Sequence, residues 1–181
     1  LKQRDAVGLA VFDNELRTYV EPKMAMGVIR TIAEELERVE PQPRTNIAAL
    51  LHEFANRIPR RGFVMVFSDL FDHVGEFIQG LDHLRFQGHN VTVFHILDPY
   101  ELEFPFTGSC KFKGLELDGE VVTQPRRIRN AYLAELRKFL DEVKSACERS
   151  HVDYVLVDTS RPLDAVLSGY LIGRLRSAHV R

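Results

Sequence analysis

The segment Phe63–Phe67 is apolar at all five of its positions. A strand with one face in water alternates apolar and polar residues, whereas a strand covered on both faces does not need to. Three further short apolar runs have the length of a strand: Ala6–Phe12, Val91–Leu97 and Val152–Val157. We therefore expect Phe63–Phe67 to be a central strand of a parallel sheet.

Amphipathic helical patterns lie between and after these runs. Apolar residues recur at helical spacing in five segments, which are Pro22–Val39, Asn46–Ile58, His73–Gln87, Arg126–Arg149 and a last helix that opens at Ser160 with Pro162 in its first turn. Gly88 is the expected C-terminal stop of the third helix. Strands that alternate with helices indicate an α/β fold, with right-handed crossovers and helices on both faces of the sheet.

Two pairs of segments interrupt this alternation. A tight polar turn joins Ala6–Phe12 to Leu16–Val20. The segments Lys111–Leu117 and Glu120–Thr123 flank Asp118-Gly119, a pair suited to the positive φ angles of a type I′ turn. We expect both pairs to form antiparallel hairpins at the edges of the sheet.

The composition is that of an ordinary globular protein, with 45% hydrophobic and 28% charged residues. Without repeats or linkers, we expect residues 1–181 to form one domain. The net charge of −2 gives no general attraction to nucleic acid or anionic lipid, and no apolar run reaches the length of a membrane span. Cys110 and Cys147 are too few for a disulfide framework. We therefore expect a soluble cytoplasmic protein that binds neither nucleic acid nor membrane.

Acidic and hydroxyl residues follow three of the predicted strands. The segments are Ser68-Asp69-Leu70-Phe71-Asp72, Asp98-Pro99-Tyr100-Glu101 and Asp158-Thr159-Ser160. In open α/β sheets, binding sites lie beyond the carboxyl ends of the strands, so these segments should share one rim. Such carboxylates can hold a divalent cation or orient a nucleophile, although Asp is also common in helix caps and turns.

Other chemistry has little support in the sequence. No phosphate-binding glycine loop, GxSxG elbow or zinc-ligand spacing is present. His95 lies inside a predicted strand and is expected to be a core or hydrogen-bonded residue. Arg126, Arg127 and Arg129 are expected to be solvated residues at a helix end.

Several segments together resemble the von Willebrand factor A-like family known as domain of unknown function fifty-eight. The resemblance is carried, in order, by Asp5–Phe12, Arg44–Ile47, Arg61–Leu70, Gly88-His89, Leu97–Glu101, Phe104–Phe106, Tyr132, Asp153-Tyr154 and Thr159. It implies a prokaryotic protein with a Rossmann-like three-layer fold and no catalytic activity. Members are commonly encoded beside MoxR-type AAA+ ATPases, so it also implies an interaction module that works in protein assembly or maturation.

The resemblance further implies a metal-ion-dependent adhesion site, built from a DxSxS loop, a Thr loop and an Asp loop. By position, Thr45 matches the Thr loop and Asp69 matches the Asp loop. The family's first strand, DxSxS loop and helix would precede Asp5, so we expect the chain to be N-terminally incomplete and its site to be empty or weak. We expect no cofactor in this chain, and Mg²⁺ or Mn²⁺ only in a longer parent.

The absent strand would lie between Ala6–Phe12 and Phe63–Phe67 and would leave two apolar edges unpaired. Unpaired edges recruit other strands. We therefore expect either direct pairing of these two neighbours or closure by a second copy of the chain in a homodimer.

Two functions follow from these observations. The first is a non-enzymatic protein-binding module whose contact surface contains Thr45, Ser68, Asp69 and Asp72. The alternative is a metal-dependent phosphoester hydrolase, in which strand-end aspartates bind two metal ions. Its candidate ligands are Asp69, Asp72, Asp98 and Asp158, and no general base for it is evident.

Overall fold

A computed structural model describes residues 5–13, 15–40, 47–58, 61–70, 74–113 and 119–178 of the chain. Within these ranges it contains seven strands and six helices. In chain order they are β1 (Val7–Phe12), β2 (Leu16–Lys23), α1 (Gly27–Arg38), α2 (Ile47–Arg57), β3 (Phe63–Ser68), α3 (Val74–Phe86), β4 (Asn90–Leu97), α4 (Pro99–Glu103), β5 (Cys110–Lys113), β6 (Glu120–Thr123), α5 (Pro125–Arg149), β7 (Asp153–Asp158) and α6 (Leu163–Ala178).

Three of the described strands form a parallel sheet in the order β3-β4-β7. The register places Ser68 beside His95 and His95 beside Leu156, so these side chains lie on one face. With helices on both faces, this is the predicted α/β architecture of a Rossmann-like domain, which confirms the fold class.

The hydrophobic core fills the space between one face of the sheet and helices α2, α3 and α5. Its buried members include Leu51, Val66, Leu81, Val93 and Val143. These side chains come from both strand and helix patterns, so burial of apolar surface holds the layers together.

Helix α6 packs on the opposite face of the sheet. The Tyr170 hydroxyl lies 2.8 Å from the Thr92 hydroxyl, and the Tyr170 ring meets the edge of Phe94 with centroids 5.2 Å apart. The Arg174 guanidinium lies 4.3 Å from the centroid of the Phe63 ring. The described helices include no candidate membrane span.

Among the described strands β3 lies at the edge of the parallel sheet, so its prediction as a central strand was wrong for the described sheet. Val64 and Val66 point into the core, but Phe63, Met65 and Phe67 on the other face are 42%, 47% and 57% exposed. The central strand is β4, which has a neighbour on each side and is buried on both faces. Continuous apolar character therefore did not distinguish a central strand from an edge strand.

Both predicted hairpins are present, but in the described part of the chain neither joins the edge of the parallel sheet. β1 pairs with β2, and β5 pairs with β6, as two separate antiparallel ribbons. Among the described strands β1 does not pair with β3, so the first of the two expected alternatives, direct pairing of these neighbours, is not observed there. The predicted turn at Asp118 lies outside the described residues.

Two helices differ from their predictions. Helix α1 begins at Gly27 rather than Pro22, because β2 continues to Lys23. The short helix α4 was not predicted, although Asp98 caps it and Pro99 occupies its first turn. Helices α2, α3 and α5 begin and end within one residue of the predicted bounds, and α6 begins three residues after the predicted start at Ser160.

Gly88 ends helix α3 as predicted, with a φ of +87°. The Gly88 amide donates to the carbonyl of Arg85 at 2.9 Å, and the His89 amide donates to the carbonyl of Leu84 at 3.1 Å. These two bonds form a Schellman motif. A Cβ added at Gly88 would lie 2.7 Å from Nε of Arg61, so both φ and crowding favour glycine.

The substitution Gly88→Ala should lower the free energy of unfolding by about 1–2 kcal/mol, because an L-residue is strained in the left-handed region. Gly169→Ala is the matched control. Gly169 lies in the exposed middle of α6 with no atom within 4 Å of an added Cβ, so alanine should stabilise there by about 0.5–1 kcal/mol. Urea denaturation measures both effects. Equal effects at the two positions would contradict the conclusion that the left-handed φ of Gly88 favours glycine.

Candidate functional site

The candidate site lies at the carboxyl ends of the three parallel strands. Asp69 follows β3, Asp98 follows β4, and Asp158 is the last residue of β7. The predicted rim is therefore built by these three strands in the described part of the chain. Thr45 and Asp72 lie outside the described residues, so their places in the site stay predictions.

The turn after β3 is fixed by two local features. The Ser68 hydroxyl accepts a hydrogen bond from the Leu70 amide at 3.1 Å. Leu70 adopts a left-handed φ of +57° and buries its side chain to 3% exposure. Asp69, between them, is exposed. The chain thus anchors the turn at Leu70 and presents the neighbouring carboxylate to solvent.

A buried histidine on β4 supports this turn from within the protein. Nε2 of His95 lies 2.8 Å from the carbonyl oxygen of Asp69, and Nδ1 of His95 lies 2.8 Å from the hydroxyl of Tyr154. A carbonyl can only accept, so Nε2 donates; in the neutral ring Nδ1 then accepts from the Tyr154 hydroxyl. Both imidazole nitrogens are satisfied and connect the turn to β7.

The surroundings of His95 keep its ring neutral. The ring is fully buried and meets Phe139 of α5 edge-on, with centroids 5.7 Å apart. Burial lowers the pKa of His95, although the Asp69 carbonyl and carboxylate oppose this shift. Burial also raises the pKa of Tyr154, so its hydroxyl stays protonated. The expectation of a buried, hydrogen-bonded histidine is confirmed.

The carboxylate of Asp98 is engaged in capping helix α4. It accepts from the Tyr100 amide at 2.8 Å, while the Glu101 carboxylate accepts from the Asp98 amide at 2.8 Å. This reciprocal pair is a capping box. The Thr159 hydroxyl lies 3.5 Å from the other Asp98 oxygen, which brings the ends of β4 and β7 together.

The carboxylate of Asp158 is engaged within its own turn. It accepts from the Ser160 hydroxyl at 2.6 Å and from the Ser160 amide at 2.9 Å. These hydrogen bonds, with a smaller contribution from Arg161, lower the pKa of Asp158. Asp158 therefore stays ionised as a turn-forming residue.

This arrangement gives no support to a two-metal hydrolase. Within the described ranges, no three His, Cys, Asp or Glu side chains are grouped closely enough to hold a metal ion. Two of its candidate ligands, Asp98 and Asp158, already serve the turns that contain them.

Burial raises the pKa of the Cys147 thiol to about 12, which makes that side chain a poor nucleophile.

Arg129 has a structural role that the sequence did not indicate. Its guanidinium donates to the carbonyl of Phe104 at 3.1 Å and to that of Glu103 at 2.8 Å. These are terminal carbonyls of α4, where Phe104 adopts a left-handed φ of +47°. Arg129 is exposed near the start of α5, as predicted, and its side chain also attaches α5 to the rim loop.

Aromatic rings reinforce the same loop. The Phe104 ring lies 4.5 Å from that of Tyr132, 5.0 Å from that of Phe106 and 5.7 Å from that of Phe112, measured between centroids. Contacts of this kind stabilise beyond the area they bury. The cluster ties the loop after α4 to β5 and α5, and leaves Tyr100 exposed at the rim.

The fold and the rim define an α/β domain with its candidate site at the carboxyl end of a parallel sheet. The model of the family described as "Protein of unknown function DUF58" matches residues 1–141. The chain belongs to this family, as the sequence resemblance indicated. A search of curated proteins finds no match.

Two crystal structures share the fold. One is the conserved hypothetical protein BatB from Bacteroides thetaiotaomicron, with a TM-score of 0.55 and 15% identity over 96% of this chain and 80% of that chain. The other is an aerotolerance-related membrane protein from Bacteroides fragilis NCTC 9343 that carries multiple mutations to serines. Its TM-score is 0.54, with 18% identity over 86% of this chain and 73% of that chain.

Lowering the pH from 7.5 to 5 should reduce the free energy of unfolding. Burial lowers the pKa of both His89 and His95, so the unfolded chain takes up protons there that the folded chain does not. Stability that is present above the ordinary histidine pKa of about 6.5 is lost as the pH falls below it. Urea denaturation across this range measures the loss.

His89→Leu should make the loss of stability at low pH smaller, because leucine takes up no proton. Nδ1 of His89 is buried without a hydrogen-bond partner among the described residues. His151→Asn is the matched control, since His151 is exposed and asparagine tolerates its left-handed φ of +53°. An identical pH dependence in His89→Leu and in the wild type would show that His89 does not contribute.

Proposed function

We propose that this chain is a non-enzymatic protein-binding module, with its contact surface around Ser68 and Asp69. The observation that supports this most is the exposed Asp69 carboxylate on a turn whose backbone is held by His95. A contact residue on a fixed turn loses little conformational freedom when a partner binds, so more of the interaction energy contributes to affinity.

The chemistry of the rim favours recognition over catalysis. The carboxylates of Asp98 and Asp158 form a helix cap and a turn, and the imidazole of His95 has both nitrogens engaged below the surface. A general base must reach the proton that it removes. His95 is buried, and the Asp98 and Asp158 carboxylates already accept hydrogen bonds within their own turns.

A von Willebrand factor A-like adhesion site is the finer form of this proposal. In a longer parent that carries the DxSxS loop, Thr45 and Asp69 contribute oxygen ligands of the kind that Mg²⁺ and Mn²⁺ prefer, and a carboxylate of the partner completes the metal shell. Ser68 and Asp72 flank the ion and contact the partner. Binding of the partner is then dependent on a divalent cation.

The partner that we propose is a MoxR-type AAA+ ATPase, with which the chain acts in assembling or maturing other proteins. The proposal rests on the family resemblance and on the acidic character of the rim. We place this interaction in the cytoplasm, which agrees with the free thiols of Cys110 and Cys147.

The outer edge of β3 supports a second contact, between two copies of the chain. Among the described strands β3 pairs on one side alone, with β4. Phe63, Met65 and Phe67 are 42–57% exposed beside that edge. Unpaired apolar edges favour pairing with another chain, so we propose that β3 strands of two copies associate.

Capture of a purified MoxR-type ATPase by the full-length gene product should require Mg²⁺ and should fall on addition of EDTA. Asp69→Ala should weaken capture about tenfold or more, as expected for loss of a metal or partner contact. Asp82→Ala removes an exposed carboxylate of α3 and is the matched control. Capture that survives both EDTA and Asp69→Ala would exclude the rim as the contact surface.

Light scattering should detect a dimer at high protein concentration, and Met65→Lys should shift it to monomer because a charge is placed beside the pairing edge. Val122→Lys is the control, since Val122 is 70% exposed on β6, outside the parallel sheet. A wild-type protein that stays monomeric at every concentration would contradict association through β3.

A further inference from the structure

Two histidines meet where helices α2 and α3 pack together. Nδ1 of His52 lies 3.0 Å from Nδ1 of His83, and the rings are tilted by 41° with centroids 5.2 Å apart. Both residues are half-buried. The contact joins two different helices and contains none of the rim residues.

Gln87, one turn after His83 on the same helical face, fixes the other side of the His83 ring. Its amide nitrogen is placed 3.1 Å from Nε2 of His83. Rotation of this amide by 180° exchanges nitrogen and oxygen in nearly the same volume. The amide oxygen of Gln87 then accepts from Nε2–H of His83, and the lone pair of His83 Nδ1 points toward His52.

We propose that His52 and His83 form a binding site for a divalent transition metal of the Zn²⁺ type, with the two Nδ1 atoms as its protein ligands. Imidazole nitrogens bind Zn²⁺ at about 2.0–2.1 Å, so two nitrogens 3.0 Å apart can both reach one ion. Water completes the shell, since no group of three or more protein ligands occurs in the described part of the chain.

The proton balance of the pair permits this coordination. In the neutral hydrogen-bonded pair one proton lies between the two Nδ1 atoms. Both Nδ1 lone pairs are available to the ion when each ring carries its proton on Nε2. For His83, that Nε2–H donates a hydrogen bond to the amide oxygen of Gln87. An accepting group behind a histidine ligand is the usual arrangement in metal sites.

The site differs in chemistry from the proposed rim site. Nitrogen ligands favour Zn²⁺ and its neighbours over Mg²⁺, which prefers oxygen. The two inferences are therefore independent. Since α2 and α3 follow the segments that contain Thr45 and Asp69, a bound ion would link the helices behind both predicted site loops and would stabilise their packing.

The test is a Zn²⁺ titration of the tag-free protein by isothermal titration calorimetry, with thermal unfolding followed in parallel. We expect saturable binding of one ion and a rise in Tm that the same concentration of Mg²⁺ does not produce. His52→Gln and His83→Gln should each weaken binding at least about tenfold, and the double variant should lose little more because the ligands act as a pair. His151→Asn, an exposed histidine outside the pair, should leave binding unchanged.

The Gln87 variants distinguish a metal site from a purely structural contact. They also test Zn²⁺ binding at the pair if a histidine variant fails to fold. Gln87→Glu should tighten Zn²⁺ binding, because a carboxylate accepts more strongly from His83 Nε2–H, and Gln87→Leu should weaken it about tenfold. Absence of saturable Zn²⁺ binding, wild-type affinity in His83→Gln, or equal affinities in the two Gln87 variants would each overturn the proposal.

Discussion

The hydrogen bonds of His95 connect the interior of the protein to its candidate site. One imidazole on the central strand joins the turn after β3 through the Asp69 carbonyl and joins β7 through the Tyr154 hydroxyl. Buried polar groups are costly when unpaired, so loss of either partner disfavours this arrangement of the three strands. The position of Asp69 at the surface thus depends on contacts made below it.

The acidic residues of the rim differ in their local structural roles. Asp98 and Asp158 close a helix cap and a turn, whereas Asp69 projects from a turn stabilised by Ser68 and Leu70. Arg129 and its aromatic neighbours hold the adjacent loop. The result is a stable platform, which suits recognition of a partner surface.

Sequence patterns predicted the elements well where a pattern reports a local property. Helical spacing defined α2, α3 and α5, and glycine marked the end of α3, because these depend on residues close in the chain. The predicted place of β3 among the described strands was wrong, because apolar character indicates burial but not which strands are neighbours. Strand order depends on contacts between distant segments.

At the candidate site, the sequence predicted the strand ends but not the contacts that support them. Ser68-Asp69 followed from the rule that sites lie at strand ends. The contacts of His95 with Tyr154 and of Arg129 with Phe104 did not, because they join residues 59 and 25 positions apart. Their geometry is set by strand register and helix docking, which no single-sequence pattern records.

The separation of His95 from Tyr154 also determines when the site can form during synthesis. A chain emerging from the ribosome at about 5–20 residues per second exposes β3 and β4 well before β7. Until residue 154 has left the exit tunnel, His95 lacks its partner and the turn at Asp69 lacks its full support. The turn at Asp69 therefore gains its full support only after β7 has been synthesised, well after β3 itself.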